Sequence, residues 1–100
     1  MAEPHFVVVS PHNFNSTTLG LAATLNVSAC IPNFLITEYF YNFKERGDEV
    51  SINPFKMEDG YIKIPEGPGL GIEIDEEILA KYPYKELSPR SIRQYYNEGP

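Results

Sequence analysis

Phe6-Val7-Val8-Val9-Ser10-Pro11-His12-Asn13 opens with a continuous apolar, β-branched run and closes on a proline and a histidine. Unbroken runs of this kind mark strands covered on both faces, as in parallel sheets, because a half-exposed strand alternates apolar with polar residues. Downstream, Asn15-Ser16-Thr17-Thr18 supplies several helix N-cap candidates, and Leu21, Leu25 and Ala29 recur every four residues, with Ala22, Ala23 and Cys30 beside them. The spacing predicts a helix over residues 18–30, with small alanines letting it lie close to a sheet. Pro32 and Asn33 end it, and Phe34-Leu35-Ile36-Thr37 reads as a second short strand. Strand, helix and strand make one βαβ unit, with parallel strands and a right-handed crossover.

The rest of the chain differs in kind. Residues 1–43 hold two charged side chains, Glu3 and Glu38, and no Lys or Arg; the other 57 hold eight basic and twelve acidic ones. A soluble surface normally carries charge on about a quarter of its residues. The first half therefore reads either as a small core or as a wall that packs against more protein than the chain supplies. Tyr39–Arg46 predicts one or two irregular helical turns. Residues 49–54 and 61–65 predict short strands around a turn at Glu58-Asp59-Gly60. Glu66-Gly67-Pro68-Gly69-Leu70-Gly71 must be a loop. Ile72 and Ile74 alternate with acids in a one-faced strand, and Asp75 is placed to cap a short helix over Glu76–Tyr82. Ser88–Pro100 reads as a polar strap over another surface. The expected division is 1–43, the βαβ unit, and 44–100, the hairpin, loop and tail.

Length and composition narrow the function. One hundred residues exclude a whole (β/α)₈ barrel, which needs roughly 200 or more. Nine Pro and seven Gly argue for turns over a helical bundle. A net charge of −6 argues against a nucleic-acid surface. No stretch reaches the roughly 18 apolar residues of a membrane span, and no basic-then-apolar leader opens the chain. A lone Cys30 offers neither a disulfide framework nor a metal clip, so the expected setting is reducing and cytoplasmic.

Two groups in the charge-poor half are suited to acid–base work, His12 and Glu38. Each lies just past the end of an inferred strand, and adjacent parallel strands, about 4.8 Å apart, bring both to one edge of the sheet. That carboxyl edge is where ligands bind in parallel α/β sheets. The blander alternative is that His12 caps Asn13–Ser16 and Glu38 pairs with a lysine; taken singly, each residue favours it.

Three stretches in order, Ser10-Pro11-His12-Asn13, Ile31-Pro32-Asn33-Phe34-Leu35-Ile36-Thr37-Glu38-Tyr39 and Asp59-Gly60-Tyr61-Ile62-Lys63-Ile64-Pro65-Glu66-Gly67-Pro68-Gly69-Leu70-Gly71-Ile72-Glu73-Ile74-Asp75, closely resemble the C-terminal end of enolase-superfamily enzymes. The similarity runs from about Glu3 to Asp75 and is to the mandelate racemase branch, more to gluconate or galactonate dehydratases than to mandelate racemase itself. The resemblance implies a fold class: an α/β fragment of a modified (β/α)₇β TIM-type barrel (strand 7, helix 7, strand 8), with a hairpin and tail that pack on a capping domain. It implies that His12 is a general base or acid paired with a sixth-strand Asp, and that Glu38 hydrogen-bonds the substrate carboxylate and steadies an enediolate. The implied reaction is that of a carbon–oxygen lyase: Mg²⁺-assisted removal of the proton α to the carboxylate, then loss of the β-hydroxyl as water, giving a 2-keto-3-deoxy acid. Asn13 and Asn15 would touch substrate hydroxyls or simply cap the helix.

The departures are as informative. The family's Mg²⁺ ligands lie on its third to fifth strands, which this chain lacks. The acidic cluster Glu73, Asp75, Glu76 and Glu77 matches no ligand position and suits a helix N-terminus. The expectation is therefore a chain inactive alone, with Mg²⁺ belonging to the complete family enzyme and no cofactor of its own. Three origins fit: a fragment of a sugar-acid dehydratase, since Met1-Ala2-Glu3-Pro4 reads like the end of a preceding barrel helix; a subunit completing a partner's barrel; or a self-associating interaction protein. The expected partners are a sugar acid only in a completed barrel and either a missing N-terminal portion or further copies of the chain, with no nucleic acid and no membrane. A well-behaved monomer is the outcome least expected.

Overall fold

The computed structural model describes residues 1–14 and 16–86. Helix α1 spans Thr18–Cys30, the range set by the four-residue apolar repeat. Thr17 is its N-cap residue, but its side chain makes no capping hydrogen bond, and Ile31 follows in extended geometry ahead of Pro32. Its buried face is Thr18, Leu21, Ala22, Leu25 and Ser28, whereas Ala29 and Cys30, expected on that stripe, are exposed.

The two flanking segments do run parallel. Val9 pairs with Phe34, with Val9 N–H donating to Asn33 O at 2.8 Å and Leu35 N–H to Val9 O at 2.9 Å. The pairing is a single parallel bridge, shorter than the runs Phe6–Ser10 and Phe34–Thr37 suggest. Residues Glu3–His5 form a 3₁₀ turn, and Phe6 turns left-handed at φ 56°. The side chains expected to be covered on both faces are open: Val8 is 55 % exposed and Leu35 and Ile36 are each 61 % exposed. A strand buried in a parallel sheet needs neighbours on both faces and both edges, and among the described residues no further strand pairs with these two segments.

After Glu38 the chain makes a 3₁₀ turn at Tyr41–Phe43 and helix α2 at Lys44–Glu49. The α2 helix packs on α1 where Gly47 faces Thr18. Among the described residues, Leu21, Ala22, Leu25 and Val50 are the buried apolar ones, a core of four side chains. Full burial of a leucine contributes about 1.5–3 kcal/mol, so this core is thin for the chain it serves. The Cα radius of gyration, 17.2 Å, exceeds the roughly 13 Å of a compact 100-residue domain.

The hairpin forms at the expected turn but not from the expected partners. Strand β1, Met57–Glu58, pairs antiparallel with β2, Tyr61–Ile62, across Asp59-Gly60. Both turn residues have positive φ, 51° and 81°, the requirement of a two-residue turn that matches strand twist. Residues 49–54 lie elsewhere: Ser51 bridges antiparallel to Ile74, through Ile52 N–H to Glu73 O and Asp75 N–H to Val50 O, both 3.0 Å. The Pro-Gly-Leu-Gly loop folds back on itself, and Asn26 of α1 donates to Leu70 O at 3.3 Å. Helix α3 is Glu76–Leu79, shorter than expected, and Asp75 caps it by accepting from Ile78 N–H at 3.0 Å. Asn15 and the strap expected at Ser88–Pro100 lie outside the described residues.

Candidate active site

The parallel bridge delivers His12 and Glu38 to the same edge. From Val9 and Phe34 each chain runs a few residues further, and Glu38 N–H then donates to Pro11 O at 3.2 Å. The two segments thus stay paired to the point where both candidate side chains emerge. His12 Nδ1 lies 2.5 Å from Glu38 Oε2, and the same oxygen accepts the Asn13 backbone N–H at 2.9 Å. Residues 11 and 13 therefore both bond to Glu38 and bracket the histidine between them. Glu38 meets the histidine and not a lysine in this geometry.

The imidazole is 80 % exposed and the carboxylate 41 %. Aromatic rings line one side: His12 stacks on Phe14 at 6.3 Å between centroids, Phe14 meets Phe40 at 4.5 Å, and Phe40 meets Phe43 at 5.2 Å. Beside Glu38, the Tyr39 phenol is pushed above its ordinary value by burial first and then by the Asp48 carboxylate. Asn13 is 4 % exposed, and its Nδ2 is buried without a hydrogen-bond partner. Its backbone N–H, not its side chain, is the part that reaches the pair. Nothing in the sequence marks this role, because every non-proline residue carries such a donor. A shallow concavity of about 840 Å³ lies against the hairpin, lined by residues such as Phe55, Tyr61 and Pro65, and includes neither His12 nor Glu38.

Among the described residues, no three His, Cys, Asp or Glu side chains converge as a metal site would require. Asp75 is spent on the α3 cap, and its acidic neighbours Glu76 and Glu77 point to no shared ion. The donor set present does not fit Mg²⁺, which takes oxygen ligands in near-octahedral array. No helix among the described residues is long and apolar enough to cross a membrane.

The His12–Glu38 contact lies where the parallel topology was expected to bring the two side chains together. A family model described as enolase C-terminal domain-like matches residues 1–78. The chain belongs to that family. Among curated relatives, it is 40 % identical over 68 residues to the D-galactonate dehydratase family member ManD of Chromohalobacter salexigens, covering 68 % of this chain and 17 % of that protein. It is 40 % identical over 73 residues to a D-mannonate dehydratase of Novosphingobium aromaticivorans, covering 73 % of this chain and 17 % of that one. Among solved structures, an enolase of the mandelate racemase subgroup from Agrobacterium tumefaciens superposes with a TM-score of 0.68 at 31 % identity, over 81 % of this chain and 22 % of that one. The chain spans about a fifth of the length of these enolase-family proteins.

Proposed function

We propose that this chain is the closing segment of a sugar-acid dehydratase barrel, corresponding to strand 7, helix 7 and strand 8, with residues 44–100 forming a part that packs on a capping domain. The observation that carries the reading is the meeting of His12 with Glu38 at one parallel edge. Sugar-acid dehydratases among the relatives supply the substrate class.

In this reading His12 is the proton-transfer group. It takes the proton α to the substrate carboxylate, or returns one to the departing β-hydroxyl, so that water leaves and the resulting enol collapses to a 2-keto-3-deoxy acid. Glu38 presents its carboxyl group to the substrate carboxylate and the enediolate that forms from it. Asn13 fixes the Glu38 carboxyl through its backbone N–H. The Mg²⁺ that would stabilise the enediolate finds no ligand set among the described residues, so no step is assigned to it in this chain. The metal site, the specificity determinants and the covering of the open strand faces come from protein outside residues 1–100, and the chain alone is inactive. The 53–61 % exposure of Val7, Val8, Leu35 and Ile36 supports a chain that completes a larger barrel; it equally supports a second reading, a non-catalytic subunit that associates with copies of itself.

The test is a hybrid in which this chain replaces the matching C-terminal stretch of the N. aromaticivorans D-mannonate dehydratase, assayed with D-mannonate, D-galactonate and D-gluconate. Turnover of one of them, lost by about 10²–10⁴-fold in His12→Asn, is the expected result. A folded hybrid whose turnover survives that substitution sinks the proposal.

A further inference from the structure

The hairpin tip carries chemistry unrelated to sugar-acid dehydration. We propose that Asp59-Gly60 is a site of spontaneous backbone isomerisation, at which Asp59 converts to isoaspartate through a cyclic imide, and that the conversion unpairs β1 from β2.

Three features of the tip point this way. Of the three aspartates, Asp48, Asp59 and Asp75, Asp59 alone precedes a glycine. Glycine has no Cβ to shield its nitrogen, and even a Cβ built on Gly60 would meet nothing within 4 Å. Second, neither reacting group is engaged. Both residues are exposed, the Gly60 N–H donates to no backbone carbonyl among the described residues, and the Asp59 carboxylate enters none of their ion pairs. The other two aspartates are held: Asp48 pairs with Lys44, and Asp75 accepts from Ile78 N–H at 3.0 Å. Third, the turn is lightly locked. Only Met57 with Ile62 and Glu58 with Tyr61 pair across it, and an isolated two-stranded hairpin is marginal in water. Asp59 sits at φ 51°, a left-handed geometry unfavourable for a residue with a Cβ. Opening the turn relieves that strain and frees Asp59 to bring its carboxyl carbon onto the Gly60 nitrogen.

The balance is that of an isomerisation. The Gly60 nitrogen attacks Asp59 Cγ: the N–Cγ bond forms, a Cγ–O bond breaks, and the amide proton leaves with the hydroxyl as water. Water then opens the imide ring. Attack at Cγ returns aspartate. Attack at the main-chain carbonyl breaks the original peptide bond and leaves the chain running through Cβ and Cγ. No oxidant or other reactant enters. The product has an extra main-chain carbon in the turn. Turn geometry and loop length set the register of a hairpin, so the pairing of Met57 with Ile62 and of Glu58 with Tyr61 is lost. Glu58, Asp59, Tyr61 and Ile62 also line the concavity against the hairpin, and its wall is lost with the pairing.

The experiment incubates the full 100-residue chain for several weeks at mildly acidic pH, where a carboxyl group is protonated part of the time. Isoaspartate is mapped by peptide fragmentation and by isoaspartate-specific enzymatic methylation. The expected result is accumulation at position 59 and at neither Asp48 nor Asp75. The product should be lost in Asp59→Glu, whose longer side chain closes a larger ring more slowly. It should form sooner in Asp59→Asn, where ammonia leaves in place of water and asparagine tolerates the same φ. Cross-strand amide contacts between Met57 and Ile62 should vanish from the spectrum of the isoaspartyl fraction. Isoaspartate absent from position 59, or no more abundant there than at Asp48 and Asp75, overturns the site. An isoaspartyl chain that keeps the Met57–Ile62 contact overturns the effect on the hairpin. Because no activity is read, these outcomes are separate from those of the hybrid enzyme.

Discussion

Ser28 and Thr37 meet hydroxyl to hydroxyl at 2.7 Å, tying the last turn of α1 to the residue before Glu38. Ser28 is 7 % exposed, so its hydroxyl has little water to fall back on. Thr37→Val keeps the shape of the partner and strands that hydroxyl. The expected cost is about 1–3 kcal/mol in denaturant unfolding. Ser28→Ala in the same background should recover part of the loss, because both ends of the bond are then apolar. Additive losses in this double-mutant cycle would show that the hydroxyls do not interact.

Leu25→Ala removes a large share of a core of four side chains. Leu-to-Ala changes in packed cores cost about 2–5 kcal/mol. Against so thin a core, the expected outcome is loss of most of the α1 signal in far-ultraviolet circular dichroism at 25 °C, with Leu19→Ala, at a position 50 % exposed, as the control that retains it.

Gly60 and Gly71 both have positive φ, yet they should not respond alike to alanine. At Gly60 an added Cβ meets nothing within 4 Å, so Gly60→Ala bears only the left-handed backbone cost, about 1 kcal/mol. At Gly71 the added atom lies 2.5 Å from Pro65 Cβ as well. Gly71→Ala should therefore destabilise the chain more than Gly60→Ala does, and should disturb the amide signals of Asn26, whose side chain holds Leu70. Equal effects would remove the clash from the explanation.

Tyr82 gives a pH signature. Its hydroxyl donates to both oxygens of Glu49 at 2.7 Å, and Arg46 lies over the ring, 4.3 Å from its centroid. The hydrogen bond to Glu49 raises the phenol above its ordinary value, with burial adding to the rise and Arg46 opposing it. A raised phenol favours folding while protonated. Its contribution is complete below about pH 10, the unfolded value, and is lost as pH climbs through the folded one. Spectrophotometric titration of the tyrosines should show a late fraction that disappears in Tyr82→Phe and moves earlier in Glu49→Gln. Tyr39, raised by its burial, supplies a second late phenol that neither substitution removes.

Magnesium titrated into the 100-residue chain should give no saturable heat, since no ligand set converges among the described residues. Sedimentation of the same sample should show a dimer or larger species, because apolar strand faces stand open. Saturable Mg²⁺ binding by a monomer would contradict both statements.

The sequence was most legible where a local rule sufficed. The four-residue repeat and the Pro32-Asn33 break delimit α1, Asp59-Gly60 marks the turn, and Asp75 is the α3 cap. It misled where partners are distant: Ser51 pairs with Ile74, 23 positions away, instead of joining the hairpin, and no alternation of side chains encodes that choice. The strands inferred from Phe6–Ser10 and Phe34–Thr37 shrink to one bridge, because an apolar run forms a longer strand only where further strands pair along its edges, and the described residues place none there. At the site, the convergence of His12 and Glu38 followed from parallel topology alone. The Asn13 backbone contact did not, since a main-chain donor leaves no trace in composition.

The parallel bridge also bears on inheritance. His12, Glu38, the helix between them and the Val9–Phe34 pairing that brings them together all fall within residues 9–38. A crossover between related genes at any boundary outside that span moves the His12–Glu38 contact intact, together with the helix and the bridge that position it, which makes this short unit a natural cassette for recombination.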